Sequence, residues 1–136
     1  MIEVFVDTNI ILRFLAKDNP DFFQKSECFF GQVRDNKKKG LISLLVVQEV
    51  VWVLEHYYKM KRAEFTDNLL QLLSLEGIEI YDARKADLFE LLRVFAESKL
   101  DFVDIYLHLE AKRTNGQIFS YDEELLRAGK DFIATA

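Results

Sequence analysis

Cysteine, proline and glycine are all scarce in this chain. One cysteine, one proline and five glycines occur in 136 residues. The single thiol, Cys28, excludes an internal disulfide and a cysteine zinc site. It suits a reducing, cytoplasmic setting. Its neighbours Phe29 and Phe30 predict a packed helical face for it. With so little proline and glycine to interrupt it, most of the chain should be regular structure. Long apolar runs are also missing. No stretch approaches the roughly 18 residues of a membrane span, and the greasiest region, residues 41–54, contains Gln48 and Glu49. The first six residues include Glu3 and lack a basic segment ahead of their apolar run, so no secretory signal is expected. An excess of cations is absent too. The net charge of −5 offers phosphate no overall attraction, so any nucleic-acid contact must rest on local charge and on bound cations.

What is present reads as one folded domain, residues 1–136. Half of the chain is hydrophobic and 30% is charged, as in globular proteins. Val4, Phe5 and Val6 mark a buried strand over 2–6. Further strands are expected at 41–43, 78–81, 117–120 and 132–134. Between them, apolar residues at helical spacing predict helices over 10–16, 20–34, 44–58, 62–73, 83–98, 101–113 and 122–128. Asn19-Pro20 is a strong helix start, Ser43 can cap the helix after it, and Asn115-Gly116 is a common stop. Strands alternating with helices predict a parallel sheet of four to five strands, covered on both faces in a three-layer α/β/α sandwich. Such sheets present their chemistry at the carboxyl ends of the strands.

Asp7 stands one residue after the first expected strand, and Asp122 stands two after the fourth. Glu49 lies in Val46-Val47-Gln48-Glu49-Val50-Val51-Trp52, where burial of a lone carboxylate would be costly and calls for a partner or a metal. Asp104 shows the same conflict, with Asp101 three residues earlier on the same expected helix. No histidine or cysteine cluster accompanies these acids, so an all-oxygen pocket would select Mg2+ or Mn2+ over zinc. Capping of helices by Asp7, Asp101 and Asp122, and an ion pair at Glu49, are the alternative readings of the same residues. Arg13 is the leading candidate for a phosphate contact, with Lys17, Lys37 to Lys39, Lys59, Lys61, Arg62, Lys112 and Arg113 behind it. His56 and His108 are the candidate general bases.

Four segments together resemble the PIN-domain nucleases, in particular the VapC-like toxins of type II toxin–antitoxin pairs. They are Val6-Asp7-Thr8-Asn9-Ile10, Val47-Gln48-Glu49-Val50-Val51-Trp52, Asp101-Phe102-Val103-Asp104-Ile105 and Ile118-Phe119-Ser120-Tyr121-Asp122. Their order and spacing agree with the family across the chain, with Ser120 where threonine is commoner. The resemblance implies a PIN fold and metal-dependent hydrolysis of RNA phosphodiester bonds in the cytoplasm. It implies Asp7, Glu49, Asp104 and Asp122 as catalytic metal ligands, with Asp101, Thr8, Asn9 and Ser120 as auxiliary residues. It also implies a cognate antitoxin and a homodimer. Two other classes remain. One is a non-catalytic PIN-fold module that binds RNA or protein. The other is a phosphoryl-accepting signalling domain, for which Asp82 is the candidate acceptor.

Overall fold

A computed structural model of the chain describes residues 1–123 and 125–127. It divides into two compact units, residues 1–88 and 89–136. The first unit is built on three parallel strands in the order β1-β2-β3: β1 (Ile2–Phe5), β2 (Lys38–Ile42) and β3 (Ile78–Ile80). The register pairs Val4 with Gly40 and Gly40 with Ile78. Side chains alternate across a strand. Gly40, Ile42, Ile78 and Ile80 therefore line one face, and all four are buried. The other face carries Lys39, which reaches Glu79 at 2.8 Å and Glu3 at 3.8 Å across the ladder. These two carboxylates, Glu79 first, raise the proton affinity of Lys39. Cover on both faces was expected. On this second face Leu41 is buried, while Phe5 and Tyr81 meet edge-to-face at 5.3 Å and stay largely exposed.

Each strand feeds a helix or pair of helices, as β-branched runs giving way to helical spacing predict. In the first unit these are α1 (Thr8–Ala16), α2 (Pro20–Arg34), α3 (Leu44–His56) and α4 (Arg62–Leu73). Three of the starts carry side-chain caps. Asp7 accepts from the Thr8 N–H, Asn19 from Phe22 and Ser43 from Leu45, which satisfies donors that a helix leaves open. Helix α1 stops at Lys17, which takes left-handed backbone geometry with φ of 55°. Phe14 packs between Phe23 and Phe30 at 5.7 and 5.0 Å and joins α1 to α2. Cys28, expected on the packed face of α2, is exposed. The buried face of that helix is Ser26, Phe30 and Val33. Lys85 closes the turn before β3 by donating to the Leu75 and Ile78 carbonyls at 3.1 and 2.8 Å, and burial lowers its pKa.

Helix α5 (Lys85–Glu97) ends in the second unit, which continues with α6 (Phe102–Thr114). Phe95 and Phe102 pack edge-to-face at 6.1 Å. Asn115 ends α6 in left-handed geometry with φ of 55°, at the expected stop. The sheet departs from expectation here. Among the described residues there are three strands, not four to five. Residues 117–120 form none, and Phe119 is 87% exposed. Two apolar residues suffice in β3, so apolar content is not what residues 117–120 lack; among the described residues their backbone has no ladder partner, and a strand needs one. Residues 123 and 125–127 are helical, within the helix expected at 122–128. The strand expected at 132–134 lies outside the described residues. No helix among them is long and apolar enough to cross a membrane.

Two glycines give opposite expectations. A Cβ on Gly77 would lie 2.7 Å from Val33 Cγ1 and 3.0 Å from the Val33 carbonyl oxygen. Gly77→Ala should therefore cost about 1–3 kcal/mol. A Cβ on Gly31, inside α2, meets only the tip of Arg34 at 3.5 Å, so Gly31→Ala should stabilise by about 0.5–1 kcal/mol. Urea unfolding of both variants checks the signs.

Candidate functional site

The carboxyl ends of the three strands lead to Asp7, Ser43 and Asp82 in turn. Asp7 is exposed and caps α1, accepting from the Thr8 N–H at 2.8 Å through Oδ1. Its expected auxiliary Thr8 is buried, whereas Asn9 is exposed. Ser43 is buried between β2 and α3. Its hydroxyl donates to Asp82 Oδ2 at 2.6 Å and accepts from the Leu45 N–H at 3.0 Å. The other oxygen of Asp82 accepts from the Leu44 N–H at 2.8 Å. One carboxylate thus joins the end of β3 to the first turn of α3, where its charge complements the helix dipole. Asp82, considered above as a phosphoryl acceptor, spends its oxygens on this cap.

Glu49 lies on α3, and its surroundings correct the expectation of burial. Val47, Val50, Val51 and Leu54 form the buried face of the helix. Leu45, Glu49, Trp52 and His56 form its exposed face. An apolar run marks burial only where every side of a helix is covered, and α3 is covered on one side. Glu49 therefore pays no desolvation cost that would demand a metal.

In the second unit, Asp101 is the N-cap residue of α6 and Asp104 lies in its first turn. Partial burial, then the negative charges of Asp101 and Asp122, push the Asp104 carboxyl above its ordinary pKa; His108 opposes the shift more weakly. Asp122 begins the short helix at the chain's described end. Its Oδ1 accepts from the Leu125 N–H at 3.1 Å, and its own N–H donates to Ser120 Oγ at 3.0 Å. Ser120 thus holds the backbone of Asp122. His108 is 9% exposed, and its Nε2 donates to the Leu125 carbonyl at 2.8 Å. That contact commits Nε2 as a donor and ties the buried ring to the backbone. His56 stacks at 4.9 Å on Trp52 and lies 3.5 Å from Glu55.

Arg13, the leading candidate for a phosphate contact, has an acidic partner in the fold. Its guanidinium pairs with Asp18 at 3.1 Å and lies over the Phe22 ring at 5.0 Å. Tyr58 donates to the same Asp18 oxygen at 2.7 Å, and this bond is the main cause of the lowered Asp18 pKa. Sequence spacing from Asp7 could not reveal a competitor five residues ahead. Asp82 was also missed as the partner of Ser43. Its signal was a carboxylate directly after a strand, the same signal that marks Asp7.

A divalent ion suits these residues by chemistry. They are carboxylates, and Asp104 carries a like-charge strain that a cation would relieve. By geometry, no three His, Cys, Asp or Glu side chains among the described residues form a group able to hold a metal. The fit thus rests on donor type and charge, not on a closed ligand cluster.

Two variants follow from these contacts. Because the folded pKa of Asp104 is raised, its contribution to stability is present at low pH and is lost as pH rises through the raised value. Asp104→Asn should therefore raise the Tm at pH 7 and flatten the fall of Tm as pH rises from the ordinary aspartate value through the raised one, measured by thermal melts across pH. Asp82→Ala removes a helix cap and should cost about 0.5–2 kcal/mol in urea unfolding. Asp82→Asn, which keeps an acceptor for the Leu44 N–H, should recover part of that loss.

The comparison with known families is unambiguous where it applies. A family model described as PIN domain matches residues 4–131, spanning all four acid-bearing segments. No curated protein and no solved structure matches the chain. With almost its full length matched, the chain belongs to the PIN domain family.

Proposed function

We propose that this chain is a Mg2+- or Mn2+-dependent endoribonuclease and the toxin of a VapC-like toxin–antitoxin pair. PIN domains are a nuclease-type fold, generally RNA-cleaving, and typically use divalent metal ions. The observation that carries the reading is the family match over residues 4–131, with an acid retained in each of the four motif segments. The match crosses the boundary between the two compact units, which supports reading residues 1–136 as one PIN domain.

In this reading Asp7, Glu49 and Asp104 hold an ion, and Asp122 serves a second ion or orients water. When bound, the ion would polarise the phosphodiester and favour a hydroxide nucleophile at neutral pH. The chain's own hydrogen bonds prepare the acids for this. The Thr8 N–H holds one oxygen of Asp7, and Ser120 holds the backbone of Asp122, which limits the freedom of both carboxylates. Asp101 adds charge beside Asp104 without capping α6 through its side chain.

A non-catalytic PIN-fold module is the second reading. It is favoured by one observation, the lack of a three-ligand acidic group among the described residues. The toxin reading adds a cognate antitoxin and a homodimer. Co-expression with a short DNA-binding protein encoded beside the gene, the partner this role requires, should yield a stable complex and relieve growth inhibition by this chain. Separate purification of the two products would count against the toxin role while sparing the nuclease.

Asp7→Asn separates the two main readings. Asparagine can still accept from the Thr8 N–H, so the cap and the fold should survive. Cleavage of a labelled RNA in Mn2+ should fall by at least about 100-fold, the order expected when an essential metal or transition-state contact is lost. Undiminished cleavage by the variant would end the assignment of Asp7. No cleavage by the unaltered protein would favour the non-catalytic module.

A further inference from the structure

The buried side of helix α6 is made by Phe102, Ile105, His108 and Leu109. Three of these are apolar, as a core face requires. The fourth is an imidazole, and a polar ring there costs free energy unless its nitrogens find partners. Packing alone would be met as well by a leucine. His108 instead makes a directed bond, with Nε2 donating to the Leu125 carbonyl at 2.8 Å.

Leu125 is the other half of this joint, and it is buried. Its N–H donates to Asp122 Oδ1 at 3.1 Å while its carbonyl accepts from His108. Both backbone groups of one residue are thus committed, one to an acid of the candidate site and one to α6. Asp104 lies four residues before His108, and Asp122 lies three before Leu125. Each acid therefore stands one helical turn, about 5 Å along the axis, from the bond that joins the two segments. A joint so close to both sets the distance between them. The Asp104 carboxyl registers its neighbour: after burial and Asp101, the charge of Asp122 raises its pKa. All of these residues belong to the second unit.

We propose that His108 is a positioning residue, whose bond to the Leu125 carbonyl holds Asp122 beside Asp104 so that both carboxylates act at one metal centre. The role rests on the nuclease reading for its use in cleavage, but the spacing of the acids can be measured in the metal-free chain. The bond requires the neutral ring to carry its proton on Nε2. A leucine at 108 would leave the buried Leu125 carbonyl without this donor. Repulsion between the carboxylates would then drive the segment carrying Asp122 away from α6.

The full chain and two variants test this. In the metal-free protein, carbon-detected NMR follows the Asp104 carboxyl across pH. In His108→Leu its pKa should fall toward the ordinary aspartate value, because the charge of Asp122 is no longer held nearby. Loss of the imidazole charge alone would move it the other way, since His108 opposes the upward shift. Mn2+ binding, read from the free-ion electron paramagnetic resonance signal, should weaken at least about tenfold, the order expected when an outer partner of a metal ligand is removed. His108→Gln, whose amide can donate to the same carbonyl, should restore most of both. A lower Tm in His108→Leu with the Asp104 pKa and Mn2+ affinity unchanged would overturn the proposal, as would a rise in that pKa. Should His108→Leu fail to fold, His108→Asn, whose shorter amide ends short of the carbonyl, takes its place. In the unaltered protein, long-range proton–nitrogen spectra should show the neutral ring protonated at Nε2, and the Nδ1–H tautomer would remove the bond and the role with it. Both expected shifts without RNA cleavage by the unaltered protein would retain the positioning role and remove the nuclease reading instead.

Discussion

The carboxylate of Asp82 stands at the end of β3, yet it acts on α3. By accepting from the Ser43 hydroxyl and the Leu44 N–H, it fixes where that helix begins relative to the sheet. The buried position of Ser43 makes the bond an obligation rather than a decoration, since an unpaired hydroxyl there would cost free energy. Much of the first unit then follows. With the first turn of α3 anchored, Val47, Val50, Val51 and Leu54 face the core, and Leu45, Glu49, Trp52 and His56 must face outward. The position of Glu49 is a consequence of helix phase, and the cap and the buried apolar face agree on that phase.

Both units pair charges: in the first, Lys39 lies between two glutamates, Asp18 takes both Arg13 and Tyr58, and Arg62 meets Glu55 at 2.5 Å, while in the second Arg113 meets Glu110. In the second unit, partial burial and then the charges of Asp101 and Asp122 raise the pKa of Asp104. A carboxylate perturbed in this way is a pattern that functional sites often show. A cation is the simplest relief, and the family to which the chain belongs typically supplies one. This accounts for how an acidic chain could handle RNA. Attraction would come from the ion and from a few exposed lysines rather than from net charge.

Local chemistry made much of the fold legible. Helices α2 and α4 match the expected residues 20–34 and 62–73 at both ends, because Asn19-Pro20 begins the first and apolar spacing delimits the second. The caps at Asn19 and Ser43 and the stop at Asn115 hold for the same reason: each depends on one residue and its immediate neighbours. The fourth strand did not hold, because a strand is stabilised by its ladder, and the local pattern at 117–120, no poorer in apolar residues than β3, cannot tell whether a partner strand is there. For the candidate site, the identity of the acids was readable, and Ser120 behaves as a neighbour of Asp122 should.

The sequence by itself determined the elements, their order, the parallel pairing implied by that order, and the four acids with their motif segments. These rest on spacing within a few residues, where propensity and capping dominate. Only the tertiary structure decided that Glu49 is exposed, that Asp18 binds both Arg13 and Tyr58, that His108 serves a backbone carbonyl, and that Asp82 holds α3. Exposure and pairing depend on which side of each helix finds cover and on which partner arrives from a distant segment. Hydropathy along the chain cannot encode either, because a helix covered on one side and a helix covered on all sides can share the same apolar run.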